Sequence, residues 1–369
     1  MIVKRRSKFY QRCMLFLLAY TFLIIAISYK TQTLSVIEPT QTSSETLVRS
    51  TSRRRELKET RTTGSPSTAI FLHVGYLNLW PDMLTCTRNA VAGAARQREN
   101  GKVDVFVSVA HATQPDSSKQ ASKTSFSNIS ISTIEEDLQS MPHIGDVVVK
   151  EFDNSGADVG PFIKMLAHED IATRKYDYVL KMHSKGDNEM RDYMIKSLCG
   201  SPEQVSSILH SFAVNHEVDM IVPKGLLFGP RTDPSRIHPH LVRKYNIIEP
   251  PVATFDSATQ SKMNDIHNLM FPDWIKNHDD ENKKIAFVGG ENMVVTAGTM
   301  FWIRYSALHP RNLADALPTL DFRSRYTDNL GVEHAIERLF ASEILLRERK
   351  IAAIAPPATT KLRGIYGGI

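Results

Sequence analysis

Between residues 69 and 223, short apolar runs alternate with stretches of helical periodicity, and this alternation constrains the fold more than any other feature. The apolar runs predict strands at AIFLHVGY (69–76), VDVFVSVA (103–110), DVVVKEF (146–152), YDYVLKMHS (176–184) and VDMIVP (218–223). The stretches between them predict helices near 83–99, 133–140, 162–174 and 202–215. Such alternation is typical of βαβ units. The sequence therefore predicts an α/β domain over residues 68–369, with a mostly parallel sheet and helices on both faces.

After residue 223 the alternation of predicted strands and helices stops, and it resumes near residue 293. Residues 224–290 are rich in Pro, His and Asp, and we interpret them as an irregular excursion beside a binding site. MVVTAGTMFWIR (293–304) predicts a further strand, and EHAIERLFASEILLRERK (333–350) predicts a helix. Parallel sheets bind ligands beyond the carboxyl ends of their strands, so functional residues are expected there.

The first 67 residues differ in composition from the rest of the chain. Residues 1–12 are basic and contain no acid, residues 13–29 carry no charge, and residues 30–67 are rich in Ser, Thr and Arg. This order predicts a cytosolic tail, a transmembrane anchor and then a flexible stem. A signal peptide cleaved after Ser28 is the alternative, and it sends the domain to the same side of the membrane.

The charge of the chain is concentrated at this amino-terminal flank. The formal net charge is +5. Five cations fall within residues 1–12, namely Lys4, Arg5, Arg6, Lys8 and Arg12. The remainder of the chain is therefore close to neutral, which argues against a surface that binds nucleic acid.

The three cysteines form no CxxC or metal-finger spacing. Cys13 falls in the predicted anchor, which leaves Cys86 and Cys199 for the folded domain. An oxidising compartment would allow these two to pair, but the sequence alone favours separate, unreactive thiols. The chain also carries one glycosylation sequon, at Asn128, whose use requires exposure to the lumen.

The segment DNSGADVGPF (153–162) directly follows the third predicted strand. Gly156 permits a tight turn, and the Gly-Pro step after Asp158 suits the start of a helix. One interpretation is a capped turn, in which Asp158 accepts hydrogen bonds from free amides. The other is a binding loop, in which Asn154 and Asp158 hold a ribose or sugar hydroxyl while nearby amides face a phosphate.

The segment KMHSKGD (181–187) ends a strand that otherwise reads as buried. Strand alternation puts Lys181, His183 and Lys185 on one side, where two cations and an imidazole need anionic partners. Those partners are either carboxylates of the chain or an anionic ligand, and a nucleoside diphosphate is the natural candidate. A surface strand end with solvated lysines is the alternative.

The segment AGTMFWIR (297–304) contains a break within its predicted strand. Gly298 and Thr299 interrupt the strand where a backbone can approach a ligand closely. The aromatic residues that follow offer faces for a sugar or a base, although core packing explains them about as well.

The last candidate segment runs from Asp328 to Arg338 and enters the predicted helix. Glu333 or Asp328 is predicted to be the general base that deprotonates an acceptor hydroxyl, with His334 and Arg338 orienting it or a diphosphate. A structural ion pair between Glu337 and Arg338 is the alternative interpretation of the helix face.

Together these segments resemble the rhamnan synthesis protein F family of glycosyltransferase-like proteins. The family's N-x-G-x-D-x-x-P-F pattern matches 154–162, and its Tyr-Asp-Tyr strand with K-x-H-x-K matches 176–185. Leu-x-Gly-Ser matches 198–201, A-G-T-M-F-W-x-R matches 297–304, and H-A-x-E-R matches 334–338. Each motif alone is weak, but five in the family's order are a strong signal over most of residues 69–345.

The resemblance implies a nucleotide-sugar-dependent transferase with a fold similar to the Rossmann-like type A glycosyltransferases, acting on a glycan acceptor. Such enzymes usually carry Asp-x-Asp at the strand end, as ligands for a divalent metal. Here Lys181, His183 and Lys185 stand in that place, so we expect a metal-independent enzyme, with a Mn²⁺ or Mg²⁺ site through Asp187 or Asp328 as the alternative.

The anchor and stem are typical of a single-pass type II Golgi membrane protein with its catalytic domain in the lumen. On this view, residues 13–29 bind the membrane and residues 224–290 lie on the acceptor side of the site. The rival interpretation is a non-catalytic protein that binds a glycan or a nucleotide sugar and retains the fold. A polysaccharide hydrolase would require paired carboxylates, which Asp328 and Glu333 could supply, but no other feature of the sequence indicates this activity.

Overall fold

The structure is a computed structural model that describes residues 67–97, 101–111, 129–230, 232–245, 257–272, 287, 293–322 and 331–357. The predicted tail, anchor and nearly all of the stem lie outside these ranges, as do Asn128 and Asp328. Within the described ranges, no helix is long and apolar enough to span a membrane.

The first half of the domain alternates strands and helices along the chain. It consists of β1 (Thr68–Val74), α1 (Trp80–Ala95), β2 (Val103–Ala110), α2 (Ile131–Gln139), β3 (Ile144–Phe152), α3 (Val159–Leu166) and α4 (Glu169–Ala172). Caps and prolines set several of these helix starts. The Ser130 hydroxyl accepts from the backbone N–H of Thr133 at 3.1 Å at the start of α2, and a proline occupies the first turn of α1.

The second half continues the alternation and then departs from it. It consists of β4 (Tyr178–His183), α5 (Asn188–Cys199), α6 (Pro202–Val214), β5 (Val218–Pro223), β6 (Leu227–Phe228), α7 (Pro239–Tyr245), α8 (Ser257–Met270), β7 (Val295–Thr296), β8 (Phe301–Arg304), α9 (Pro310–Ala316), α10 (Val332–Leu346) and β9 (Lys350–Ile354). The expectation that 224–290 is irregular is wrong for α7 and α8. The single strand expected at 293–304 is two short strands separated by a turn.

Within the described ranges, seven strands form the main sheet, in the order β3-β2-β1-β4-β8-β5-β9. All neighbouring pairs are parallel except those of β8, which runs antiparallel between β4 and β5. The chain fills the sheet outward from β1 in one direction and from β4 in the other. The carboxyl ends of β1 and β4 therefore flank the point where the strand order reverses, which is where sheets of this type bind ligands.

Two apolar cores cover the two faces of this sheet, as the continuous apolar strands predict. In β1, Ile70 and Leu72 face one core, and Ala69 and Phe71 face the other. Helices α1, α5 and α6 cover the first face, and α3, α8 and α10 cover the second. Each large apolar side chain buried in this way contributes about 1.5–3 kcal/mol. The predicted α/β sheet with helices on both faces is confirmed.

A disulfide joins the helices that follow the two central strands. Cys86 of α1 and Cys199 of α5 are bonded, with their Cα atoms 5.2 Å apart. The expectation of separate thiols is therefore wrong. Since β1 and β4 are neighbours in the sheet, the helices after them lie side by side on one face, and this proximity is not visible in the sequence spacing.

Candidate active site

Four loops and one helix meet at the carboxyl edge of the sheet. The ends of β1 and β4 contribute His73 and His183, which are directly paired in the register of the two strands. The loop after β3 contributes Asp158, and the turn between β7 and β8 contributes Thr299. Because β8 is antiparallel, it is its amino end that lies at this edge. The sequence-predicted segments therefore converge on one place.

A buried polar cluster lies at the centre of this convergence. The Lys181 Nζ atom lies 2.5 Å from Oδ2 of Asp158 and donates to the backbone oxygen of Thr299 at 3.0 Å. The hydroxyl of Thr299 donates to the same carboxylate oxygen. The rings of Phe162 and Phe301 pack against the ammonium group, with centroids 5.3 and 5.9 Å away. The cluster ties β4, the loop after β3 and the turn before β8 together.

The charges of this cluster largely cancel. Burial would raise the pKa of Asp158, but His183 and Lys181 and the hydrogen bonds from Lys181 and Thr299 hold it well below its usual range. The Lys181 side chain is only 1% exposed, whereas that of Asp158 is 16% exposed. Oδ1 of Asp158 has no hydrogen-bond partner among the described residues. The carboxylate therefore offers one acceptor oxygen, while the ammonium lies behind it.

His183 is a neutral imidazole with a fixed tautomer. Its Nε2 atom lies 2.6 Å from the carbonyl oxygen of Gly298, which accepts but cannot donate, so Nε2 carries the proton. Burial lowers the pKa of His183 to about 4, against the opposing attraction of Asp158. At neutral pH the ring is therefore uncharged, with Nδ1 as an acceptor.

A second neutral imidazole, His73, was missed in the sequence. The hydroxyl of Ser108 donates its proton to the carbonyl oxygen of Leu72 at 3.2 Å, so its oxygen acts as an acceptor toward His73. The Nδ1 atom of His73 therefore donates to that oxygen, at 3.1 Å. Burial lowers the pKa of His73 to about 4. His73, Ser108, Asp158 and Lys181 line one small cavity. A histidine inside an apolar strand gives no pattern of its own, so only the alignment of β1 with β4 identifies it.

Two left-handed backbone turns shape the site. Gly156 and Ala157 have φ angles of 75° and 52°, and Gly298 and Thr299 have 83° and 48°. Left-handed conformation suits Gly and strains other residues, so each pair contains one strained position next to the cluster. A Cβ atom on Gly156 would lie 2.4 Å from the ring of Phe322. Both glycines predicted for the site therefore have a conformational role.

The loop after β4 carries the more exposed cation. Lys185 is partly exposed and makes no ion pair within the described part of the chain. Just before it, the hydroxyl of Ser184 accepts from the backbone N–H groups of Gly75 and Tyr76, at 2.8 and 2.9 Å. This fixes the loop after β4 against the end of β1. Tyr76 is 54% exposed at the same edge.

The predicted residues of α10 are buried. Glu333, His334 and Arg338 are 3%, 2% and 4% exposed, respectively. Arg338 donates to the carbonyl oxygen of His334, one turn earlier, at 2.6 Å. The half-buried Glu337 instead accepts from the backbone N–H of Gly298 at 3.3 Å. Burial raises the pKa of Glu337, against a lowering effect of Arg338. Helix α10 therefore reaches the cluster through Glu337.

Asn154 is the one exposed residue among the predicted site residues that the structure describes. It is exposed and makes no contact with the cluster, whereas its neighbours Asp153 and Ser155 both accept hydrogen bonds from Lys164, at 2.6 and 2.8 Å. Lys164 thereby holds the loop against α3. Asn154 therefore lies on the rim of the candidate site, facing solvent.

The excursion contacts the site through α7. The Nε2 atom of His240 lies 2.8 Å from Oδ2 of Asp187, and its Nδ1 atom lies 3.0 Å from Oε2 of Glu189. Asp187 also accepts from the backbone N–H of Met190 and so caps α5. Among the described residues, no three His, Cys, Asp or Glu side chains are arranged to hold a metal ion. The alternative metal site through Asp187 therefore lacks a cluster of three such ligands among the described residues. Metal independence stays a prediction.

One comparison with known proteins gives a match. A family model described as rhamnan synthesis protein F matches residues 122–346, which is more than half of the chain. The matched range begins after β2 and includes the loop after β3, the end of β4, the turn before β8 and all of α10. No curated protein and no solved structure matches the chain.

Proposed function

Because the chain belongs to the rhamnan synthesis protein F family, we propose that it is a glycosyltransferase. The reaction moves a sugar from a nucleotide-sugar donor to a glycan acceptor, in polysaccharide or glycoprotein glycan synthesis, on a domain similar to the type A glycosyltransferases. The observation that carries the proposal is the meeting of four of the family's five motif segments, all but 198–201, at the strand-order reversal between β1 and β4.

The donor sugar or ribose is bound by the Asp158 carboxylate. One oxygen is held by Lys181 and Thr299, and the other is left to accept a hydroxyl group. A carboxylate whose pKa is held low stays an acceptor throughout the physiological pH range. Gly156 and Gly298 bring their backbones close to the ligand, and Asn154 reaches it from the rim.

The diphosphate is neutralised mainly by Lys185. This lysine is the cation of the K-x-H-x-K segment that reaches solvent, whereas Lys181 is neutralised by Asp158. Lys181 and His183 then act as supports that hold Asp158 and the turn at Gly298 in place. Fixed positive charge near the leaving oxygen stabilises the departing diphosphate, which is the task of the metal in metal-dependent transferases. The proposed reaction is therefore metal-independent.

Proton transfer is assigned to the segment that ends in α10. The carboxylates proposed from the sequence are Asp328 and Glu333. His334 and Arg338 are buried and linked by a hydrogen bond, so we assign them the task of orienting this part of the helix.

We place the domain in the lumen of the Golgi, behind a membrane anchor at 13–29. The Cys86–Cys199 disulfide supports an oxidising compartment, because structural disulfides persist there and are rare in the cytosol. Glycosidase treatment of the protein expressed in eukaryotic cells checks this topology. A shift in gel mobility that depends on Asn128 is expected, and unchanged mobility would count against the lumenal orientation.

A donor screen tests the proposed function. The purified full chain is unfolded thermally with UDP, GDP, dTDP and their sugars, with and without EDTA, while donor hydrolysis is followed. A nucleotide at a hundred times its Kd stabilises the folded chain by about 2.7 kcal/mol. Lys185→Met is expected to lower the affinity for that nucleotide by about tenfold. Lys175→Met, which changes an exposed lysine, is expected to leave the affinity unchanged.

The outcomes separate the candidates. Nucleotide binding with donor turnover supports the transferase, and full activity in EDTA supports metal independence. Activity that is lost in chelator and restored only by Mn²⁺ or Mg²⁺ refutes metal independence. Binding without turnover, even with a panel of glycan acceptors, favours the non-catalytic sugar-binding protein.

A further inference from the structure

Helix α10 carries two acidic side chains one turn apart, Glu333 and Glu337. Residues four apart on a helix lie on the same side, about 6 Å from each other, so helix geometry alone does not distinguish the two carboxylates. Their surroundings in the folded chain are different, and this difference allows a choice between them.

Glu333 faces the start of its own helix. A Cβ atom on Gly331 would lie 2.0 Å from Oε1 of Glu333, so the carboxylate is folded directly against this glycine. Its Oε2 atom is buried and has no hydrogen-bond partner among the described residues. A carboxylate in the first turn is stabilised by the positive end of the helix dipole. These contacts give Glu333 a role in the start of α10, where only 3% of the residue is exposed.

Glu337 faces the polar cluster. Its Oε1 accepts from the N–H of Gly298, and the carbonyl oxygen of the same Gly298 accepts from His183. One residue of the left-handed turn therefore links Glu337 to the end of β4. Asp158 and Lys185 are near enough to shift the pKa of Glu337, the first upward and the second downward. Glu337 is also half-buried, so part of it remains open to a ligand.

We propose that Glu337 is the catalytic base of the transfer reaction, an inference that rests on the proposed function. Its carboxylate takes the proton of the acceptor hydroxyl as that oxygen forms its bond to the anomeric carbon of the donor. The bond between this carbon and the diphosphate oxygen breaks, and the nucleoside diphosphate leaves with the electron pair. The proton on Glu337 then passes to solvent.

Two features of the surroundings suit this task. Burial raises the pKa of Glu337, and a carboxylate with a raised pKa is a stronger base at neutral pH. The N–H of Gly298 holds one oxygen in place, which leaves the other to approach the hydroxyl. The cation of Lys185 lies in the same neighbourhood, so the donor diphosphate and the base are brought to one place.

Slow hydrolysis of the donor, in which water replaces the acceptor, tests the assignment without an identified glycan. UDP-, GDP- and dTDP-linked sugars are incubated with the purified full chain and with Glu337→Gln, Glu333→Gln, Asp328→Asn and the control Glu136→Gln, which changes an exposed residue of α2. Nucleoside diphosphate affinity and thermal unfolding are measured on every variant, so that turnover is compared at equal folded fraction.

Glu337→Gln is expected to keep nucleotide affinity within about threefold and to lower the hydrolysis rate by about 10²–10⁴-fold. The wild-type rate falls as the pH drops through the pKa of Glu337, and this acid limb is absent in the variant. Added formate partly restores the rate of Glu337→Ala. This rescue separates a missing base from a merely structural loss.

The contrary outcomes are distinct. Nucleotide binding and hydrolysis that survive in Glu337→Gln but are lost in Asp328→Asn or Glu333→Gln overturn this inference and leave the proposed function standing. A wild-type chain that binds no nucleotide and cleaves no donor overturns both.

Discussion

Replacing Lys181 with Met removes a charge from the interior and leaves Asp158 without its ammonium partner. At the observed 2.5 Å separation and an effective dielectric constant of about 20, the gross attraction of the pair is about 7 kcal/mol. Much of this is offset by the cost of removing both ions from water. Measured losses from breaking such buried pairs are about 3–5 kcal/mol, and we expect Lys181→Met to fall in that range.

A double-mutant cycle shows whether the loss comes from the pair itself. Lys181→Met, Asp158→Asn and the double variant are unfolded in urea at pH 7, and the double variant is expected to lose about 2–3 kcal/mol less than the sum of the single losses. Lys150→Met is the control, because Lys150 makes only an exposed ion pair with Asp170 at 3.8 Å. That change should cost less than about 1 kcal/mol. Additive single losses would refute the buried pair.

Three further predictions follow from the same contacts. The folded-state pKa of His73 and of His183 is about 4, so the unfolded chain binds more protons below pH 6.5. Stability is therefore lost as the pH falls from about 6.5 to about 4, by up to about 3 kcal/mol per histidine, and a urea midpoint that is flat over this window would contradict it. Cys86→Ser removes a crosslink with a sequence separation of 113 residues, and it should lower the free energy of unfolding by about 2–5 kcal/mol. Dithiothreitol should lower the urea midpoint of the wild type but not that of the variant. Gly156→Ala places a methyl group against the ring of Phe322 at a φ of 75°, and should cost about 1–3 kcal/mol by the same assay, whereas unchanged stability would show that the loop relaxes freely.

The strands were the part of the fold that the sequence predicted best. The predicted bounds of β2 (103–110) and β5 (218–223) match the structure. Strands of a sheet that is covered on both faces are continuous apolar runs, and the polar residues that flank each run mark the ends of the strand. Helices α1, α2, α6 and α10 were also predicted, with ends displaced by a few residues, because helix termini depend on caps and on tertiary contacts. The helix expected at 162–174 is instead two helices, α3 and α4, and helices α5 and α9 were not predicted.

The errors arose where long-range contacts decide the outcome. Gly298 and Thr299 predicted an interruption of the strand at 293–304, but no local pattern shows that its two halves belong to different sheets. Strand β7 pairs with β6, whereas β8 pairs with β4, more than a hundred residues earlier. Helix α8 was missed because its surface is polar, although Met263, Ile266 and Met270 are buried. In the sequence these side chains are isolated apolar positions, and only their packing in the folded domain shows that they share one buried face of a helix.

The same limit applies to the candidate site. The sequence predicted that Lys181 needs an anionic partner, but it could not choose between a ligand and Asp158, which lies on a separate loop. It predicted Glu333 or Asp328 as the base and considered Glu337 only as an ion-pair partner of Arg338, because the direction in which each side chain faces depends on the rotation of the helix against the turn at Gly298. The sequence predicted which types of residue form the site, but not which residues they contact in the folded chain.

The position of β8 in the sheet has a consequence for the order of folding. Strands β4 and β5 are consecutive parallel strands along the chain, yet in the finished sheet they are separated by β8, whose first residue, Phe301, follows β5 by more than seventy positions. Until the ribosome has synthesised that residue, the facing edges of β4 and β5 have no native partner. Unpaired strand edges promote aggregation, and late pairing between distant segments slows folding. A nascent chain that stops before β8 should therefore depend on chaperones, and one that extends past β9, so that β8, α10 and β9 are all present, should be released from them.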